Sequence, residues 1–384
     1  MVFVVFLAFA FVLPFMPLYV RELGVVDEET AALWAGVLIG VSPLLAGLLA
    51  PVWGRLADRY GHKPMALRAL GAYVFILALS GMVRTPSELL GLRIAVGLFG
   101  GIGPLGLAMA TSLAPREETG KAVGLIQSAQ ILSAAIGPFA GGLLADMITI
   151  RGTFIVTSLL CALAFFLVAG LYQEAPPPPR SPAEAAPRLG FRDVLGLPQV
   201  LPLLVVLFLV NFIGRSFTPI LPLHLQRLGM PTRGLAFATG VLISVYSMAA
   251  AASAIGFGRL SRRVSPSRLL TLSLVGGAMF VAPMALAPSF AVLVGLALLL
   301  GLAAGGSLTL CYTIGGLSVP EDRRTTAFGF FSGAALFGGS VSPSVAGLIA
   351  HADLRGIYLV DAVLYIAVAV GLLRLPRVSA TAPS

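Results

Sequence analysis

Twelve long apolar runs, parted by short segments that hold almost all the charge, set the terms for this 384-residue chain. The runs lie at 2–20, 31–53, 65–83, 88–113, 122–145, 152–172, 200–222, 235–257, 267–286, 289–317, 326–350 and 356–373. Each is close to the roughly 20 residues that an α-helix needs to cross the hydrocarbon of a bilayer. Only 11% of the residues are charged and 58% are hydrophobic, whereas a soluble protein carries about 25% charged residues. So few charges cannot cover the surface of a water-soluble fold of this length. The bilayer is then the solvent, and in lipid a backbone that satisfies its own hydrogen bonds is helical unless it closes a barrel. The pattern predicts an all-α membrane protein with twelve transmembrane helices. Val2 to Val20 has no basic leader and meets Arg21 and Glu22 without a small-residue cleavage site. It reads as the first span and not as a signal peptide, and its abrupt start leaves room for residues ahead of Met1.

Lysine and arginine predict the orientation. With the N-terminus in the cytoplasm, inner segments hold seventeen of the 25 basic residues, from Arg55, Arg59 and Lys63 to Arg374 and Arg377. The outer loops hold six, and Arg93 and Arg215 lie inside spans. The positive-inside rule then puts both termini in the cytoplasm. The net charge of +9 is therefore loop arginine, and no nucleic-acid partner is expected. Cys161 and Cys311 sit in apolar runs and read as small core residues.

The chain repeats itself at half its length. Pro14, Pro17, Leu23 and Gly24 recur 205 residues later as Pro219, Pro222, Leu228 and Gly229. Pro138 and Gly142 recur as Pro343 and Gly347, and Arg151-Gly152 recurs as Arg355-Gly356. Two halves of one topology predict pseudo-symmetric six-helix bundles, at 1–173 and 199–376, related by an axis along the membrane normal. Such repeats place a substrate site near the midplane, with access alternating as the halves rock. Between the halves, 174–198 holds four consecutive prolines, Pro176 to Pro179, and reads as a cytoplasmic linker. Residues 377–384 read as a disordered tail.

Two motifs sharpen this. Gly54-Arg55-Leu56-Ala57-Asp58-Arg59-Tyr60-Gly61-His62-Lys63 reads as a tight basic loop between the second and third spans, with Asp58 as its one acid, and a worn copy stands at Gly258 to Arg263. Gly137-Pro138-Phe139-Ala140-Gly141-Gly142 lies in the fifth span. Proline bends a helix and small residues let helices approach closely. These residues, with Pro14-x-x-Pro17 and an Arg93-x3-Gly97 pattern in the fourth span, resemble the major facilitator superfamily, and within it the twelve-span drug:proton antiporters. Pro115, Arg116, Gly120 and Lys121 resemble the family's next inner loop. The resemblance covers nearly the whole chain. It implies the major facilitator fold and a conformational latch at Gly54, Asp58, Arg59, Gly61 and Lys63, with Asp58 meeting the N-terminal end of the eleventh span. It implies an antiporter motif at Gly137, Pro138, Gly141 and Gly142, whose residues also read simply as a packing face. It links Arg93 to proton coupling, with an arginine near the outer face reaching the interface as the alternative. His62 departs from the family's basic residue.

Further polar residues inside spans are candidates for a proton or substrate cavity: Arg93, Gln127, Gln130, Asn211, Arg215 and Asp361. Gln127 and Gln130 are three apart on one helical face; Asn211 and Arg215 are four apart. Helix rise puts Arg215 and Asp361 at similar depths, which predicts an ion pair that is either structural or functional. Phe11, Phe15, Tyr19, Phe217, Tyr246 and Phe331 suit a greasy cavity wall or the core. Some members of the family carry an acid in the first span, and Val2 to Val20 has none. There is no G-x-x-x-x-G-K-[ST] loop for ATP, no Cys/His cluster for a metal, and no catalytic constellation. No metal, cofactor or enzymatic activity is expected. The sequence predicts a secondary transporter of the inner membrane, acting as a monomer and exchanging protons for amphipathic drugs. An uptake symporter, a metabolite exporter and a non-transporting scaffold or receptor are the alternatives.

Overall fold

The computed structural model describes residues 1–113, 118–173, 200–319 and 324–374; the side chains of 119–120, 324–326 and 374 are not among them. The predicted linker at 174–198, the tail at 377–384, and Pro115 and Arg116 of the inner loop lie outside this description, whereas Gly120 and Lys121 already belong to the fifth-span helix, Thr119–Ile148. Among the described residues every predicted span is built of helix, some of it broken by short turns. Eleven stretches are long and apolar enough to cross a membrane: Val2–Glu22, Glu28–Tyr60, His62–Ser80, Pro86–Leu113, Lys121–Ile148, Ile150–Leu171, Leu235–Leu260, Pro266–Leu286, Phe290–Ser318, Ala327–Ala352 and Gly356–Leu373. Val200–Ser216 and Leu221–Arg227, bent by 41°, form a twelfth as one broken span, the seventh in chain order.

Proline and glycine explain where spans deviate from a straight helix. The first span is a helix to Ala10, a 3-10 turn at Leu13–Phe15 and a second helix from Met16. Pro14 and Pro17 lack the N–H that would continue the ladder. The fourth span breaks between Leu98 and Ile102, where Gly101 has φ 112°. By contrast the second span absorbs Pro43 and Pro51 and runs for 33 residues. At 1.5 Å per residue that is roughly 50 Å, well beyond the ~30 Å of hydrocarbon, so it projects from the bilayer.

Contacts divide the chain into two compact units. One holds the first six spans together with Phe217–Ser244 and Pro343–Leu354; the other holds the rest of the seventh to twelfth spans. In the first, the third span packs along the sixth, the first along the fifth and the second along the fourth. Its core includes Phe15, Tyr19, Leu70, Leu77 and Phe154, all fully buried, and Tyr19 donates from its hydroxyl to the Ser80 carbonyl at 2.7 Å. In the second unit the ninth span packs along the twelfth. Large apolar side chains such as Phe75, Leu159 and Phe166 stand exposed, as a hydrocarbon solvent permits.

Candidate functional site

The basic segment after the second span is not the ten-residue loop predicted. The helix continues through Gly54, Asp58 and Arg59 to Tyr60, and the next begins at His62. The turn is Gly61 alone, at φ 94° and ψ 157°. Arg55 and Arg59 favour helix, and Gly54 is accommodated with no atom near its missing side chain. Asp58 and Arg59 are exposed on the last turn, and Arg59 lies over the Tyr60 ring at 5.3 Å. Lys63 donates to the Tyr172 carbonyl at 2.7 Å, tying this turn to the end of the sixth span. The first side chains of the eleventh span, the expected partner of Asp58, lie outside the described residues.

The fifth-span motif makes two different contacts inside the first unit. A side chain at Gly137 would meet Ala10 Cβ at 2.3 Å, and one at Gly141 would meet the Phe11 backbone at 2.5 Å. These glycines seat the first span. Gly142 faces elsewhere: a Cβ there would lie 2.4 Å from the Ala236 carbonyl oxygen in the eighth span. One at Gly240 would lie 2.2 Å from the Pro138 oxygen. The same pair of contacts recurs between the second and eleventh spans. Gly36 meets the Pro343 oxygen at 2.1 Å and Gly347 meets the Ala32 oxygen at 2.7 Å on the same construction. Gly36 and Ala32 stand 204 residues before Gly240 and Ala236; Pro138 and Gly142 stand 205 before Pro343 and Gly347. The internal repeat is thus a two-fold seam of backbone crossings. Ser244 Oγ accepts from Phe139 N–H at 3.1 Å, and Ser344 Oγ donates to the Gly36 carbonyl at 3.3 Å.

At the end of this unit bearing the Gly24 and Gly229 turns, Arg21 donates to Gln226, its own repeat counterpart. Arg227 Nε bonds Glu28 Oε2 at 2.9 Å, and Arg21 Nη1 lies 3.8 Å from Glu28 Oε1. Asp27, Glu29 and His351 also bring ligand-type atoms within 4.8 Å of one another, a grouping that sequence spacing did not reveal. Asp27 already accepts from Thr30 N–H as a helix cap, which holds its carboxyl below the usual range, and no member is buried.

The predicted cavity residues fall in both units: Arg93, Gln127 and Gln130 in the first, Asn211, Arg215 and Asp361 in the second. Arg93 is buried at 3% exposure. Its Nε donates to the Leu38 carbonyl at 2.9 Å, and its own carbonyl accepts from Ser42 Oγ at 2.6 Å. It ties the fourth span to the second. Gln127 is exposed and Gln130 half-buried. Asn211 and Arg215 do share a face: a Cβ at Gly339 would sit 3.7 Å from Arg215 Cγ and 3.9 Å from Asn211 Oδ1. Asp361 is wholly buried and the only carboxylate so buried among the described residues. Its hydrogen-bond partner is Ser216, not Arg215. The depth arithmetic was right to one residue, but a helix turns about 100° per residue, so Ser216 faces Asp361 and Arg215 faces Gly339. Of the aromatics, Phe11, Phe15, Tyr19, Phe217 and Phe331 are buried core residues, while Tyr246 is half-buried beside Gly214.

The Major Facilitator Superfamily model matches residues 1–292 and 236–384. The chain belongs to the major facilitator superfamily. Its relatives include the multidrug resistance protein MdtG of Dickeya zeae, 32% identical over 80% of this chain and 75% of that protein. MdtG of Proteus mirabilis is 33% identical over 76% and 73%. Among solved structures, a bacterial homolog of the human lysosomal transporter Spinster, inward-facing and occupied, superposes with a TM-score of 0.78 at 16% identity, over 97% of this chain and 94% of that one. The D-xylose–proton symporter gives 0.76 at 15% identity, over 98% and 97%. As a superfamily member with twelve spans, this chain is a multi-pass secondary active transporter. The superfamily's paired repeats account for the two-fold seam. Sequence reading missed Gly36, Gly240, Glu28 and Ser216 as site residues. The first two were visible as a 204-residue coincidence of glycines; the others carry no signal without the helix azimuth.

Proposed function

We propose that this chain exports amphipathic, drug-like molecules across a bacterial inner membrane in exchange for protons, by alternating access and as a monomer. The two-fold seam carries this reading. Four backbone crossings, repeated at half the chain length, form contacts that can open and close together without unfolding either helix of a pair. The names of the MdtG relatives support drugs as the class of cargo. Positive-inside charge puts the Asp58 turn in the cytoplasm and the Arg21–Glu28–Arg227 cluster outside. In this reading Gly54, Asp58, Arg59, Gly61 and Lys63 latch the opposite, cytoplasmic end. A carboxylate offered to a helix N-terminus stabilises that closure. Gln127, Gln130, Asn211 and Arg215 face the cargo. Arg93 braces the fourth span and with it the seam. The test is ethidium transport in proteoliposomes with an imposed proton gradient. Gradient-dependent ethidium movement against its own concentration, opposite to the proton flux, supports the exchanger. Movement in the same direction as protons establishes a symporter instead. Transport indifferent to the gradient removes proton coupling.

A further inference from the structure

The seventh span stops at Ser216 and resumes at Leu221 after the bend. Ser216 is wholly buried, and its Oγ contacts two acceptors: the Ile213 carbonyl at 2.8 Å and Oδ2 of Asp361. A serine hydroxyl has a single hydrogen and cannot donate to both. The conflict vanishes if Asp361 is a carboxylic acid. Its own O–H then donates to Ser216 Oγ, and Ser216 donates to the Ile213 carbonyl in the last turn of the helix. Without that proton Asp361 is a buried carboxylate whose Oδ1 has no hydrogen-bond partner, an arrangement strongly disfavoured in a membrane interior. Ser216 must then turn its hydrogen from Ile213 to Asp361, and the helix loses that bond at the point where the span breaks.

We propose that Asp361 carries the exchanged proton and that Ser216, as a positioning residue, passes its protonation state to the break in the seventh span. This deepens the proton-exchanger reading above and rests on it. On loading, a proton from water binds Asp361 Oδ2, and the Ser216 hydrogen returns to the Ile213 carbonyl. On release the carboxyl gives its proton to water, and Ser216 Oγ–H swings to Oδ2. No other bond changes. The titratable groups whose charge acts on Asp361 are Tyr246 of the eighth span and Tyr358 and Tyr365 of its own helix, and Arg215 of the seventh span acts on Tyr246. The stretch of the ninth span and following turn that packs on the twelfth, from Gly277 to Leu286, holds none. Tyr365 is seated by Gly277, where a Cβ would meet its ring at 2.8 Å.

The first half gives an internal comparison. The Arg151–Arg355 register, 204 residues, aligns Asp361 with Thr157. Thr157 is buried in the sixth span and holds the first span through the Ala8 carbonyl at 3.3 Å. A neutral hydroxyl therefore suffices to bond these two spans. A carboxyl at the same place in the second half adds a proton site that packing does not require.

The test has two readouts on the full chain. Infrared spectroscopy of the purified transporter should show a protonated-carboxyl carbonyl band that disappears as pH rises and is missing from Asp361→Asn. That band does not depend on cargo, so it stands or falls apart from the exporter reading. In proteoliposomes Asp361→Asn should lose gradient-driven ethidium transport while keeping ethidium counterflow, because the amide preserves shape and a donor to Ser216. Ser216→Ala should move the midpoint of the band by about one pH unit, a tenfold change in proton affinity, with Ser216→Thr restoring it. A purely structural Ser216 would slow transport at every pH and leave the midpoint in place. Gradient-driven transport by Asp361→Asn at the parental rate, or an infrared spectrum it shares with the parent, overturns the proposal. Should the parent lack gradient-driven transport but show the band, the exporter reading fails and the proton site survives without its role in drug exchange.

Discussion

Gly61 carries the whole turn between the second and third spans. Its φ of 94° lies where a Cβ collides with its own backbone, so Gly61→Ala should cost about 1–2 kcal/mol. Thermal unfolding in detergent checks this, and an unchanged midpoint would contradict the strain. Asp58, three residues earlier and exposed, makes a contrasting prediction. Asp58→Asn should unfold at the parental temperature yet transport ethidium more slowly, because what it loses is a charge offered to a partner helix. Parental transport by the folded variant would remove the latch. At this scale the sequence was legible where one residue type answers one demand, as glycine does at the turn. It was silent on Ser216. Nothing marks that serine among the 384 residues until the helix azimuth aims it at Asp361 and turns Arg215 away.

Spans were legible because hydrocarbon thickness dictates their length, and their boundaries held within a few residues. The exceptions have local causes. Arginines and a permissive Gly54 extended the second span through the expected loop, and paired prolines broke the first. Elements also separate the two jobs of the fifth-span motif, which sequence alone ran together. Gly141→Leu forces a side chain into the Phe11 backbone and should destabilise the first unit by about 1–3 kcal/mol, as overpacking does. Gly142→Leu forces one into the eighth span, across the seam. It should leave that packing intact and stop transport by holding the seam apart. Both variants are expected to be inactive, and unfolding midpoints should tell them apart, lower for Gly141→Leu. Parental export by either stable variant would show that close approach at that glycine is dispensable.

Across the molecule, the repeat predicts what must move. Arg21 bonding Gln226, its counterpart 205 residues on, places the helix Met16–Glu22 against its repeat Leu221–Arg227 at the Gly24 and Gly229 end. Glu28 completes the clasp through Arg227 and Arg21, with side chains only 26% to 34% exposed. Partly exposed ion pairs contribute about 0–1 kcal/mol each. The clasp can therefore bias closure but not bolt it, as a transporter that reopens every cycle requires. The backbone crossings beneath it, at Gly36, Gly142, Gly240 and Gly347, must part with it. A covalent bridge should then arrest the cycle. With Cys161 and Cys311 replaced by alanine, Glu28→Cys and Arg227→Cys joined by a short bis-methanethiosulfonate should stop ethidium transport, and reduction should restore it. Each single-cysteine variant should ignore the reagent, since only the bridge spans the two halves. If the bridged protein still transports at the unbridged rate, this end never opens. Access would then have to alternate elsewhere, and the two-fold seam would be a static joint.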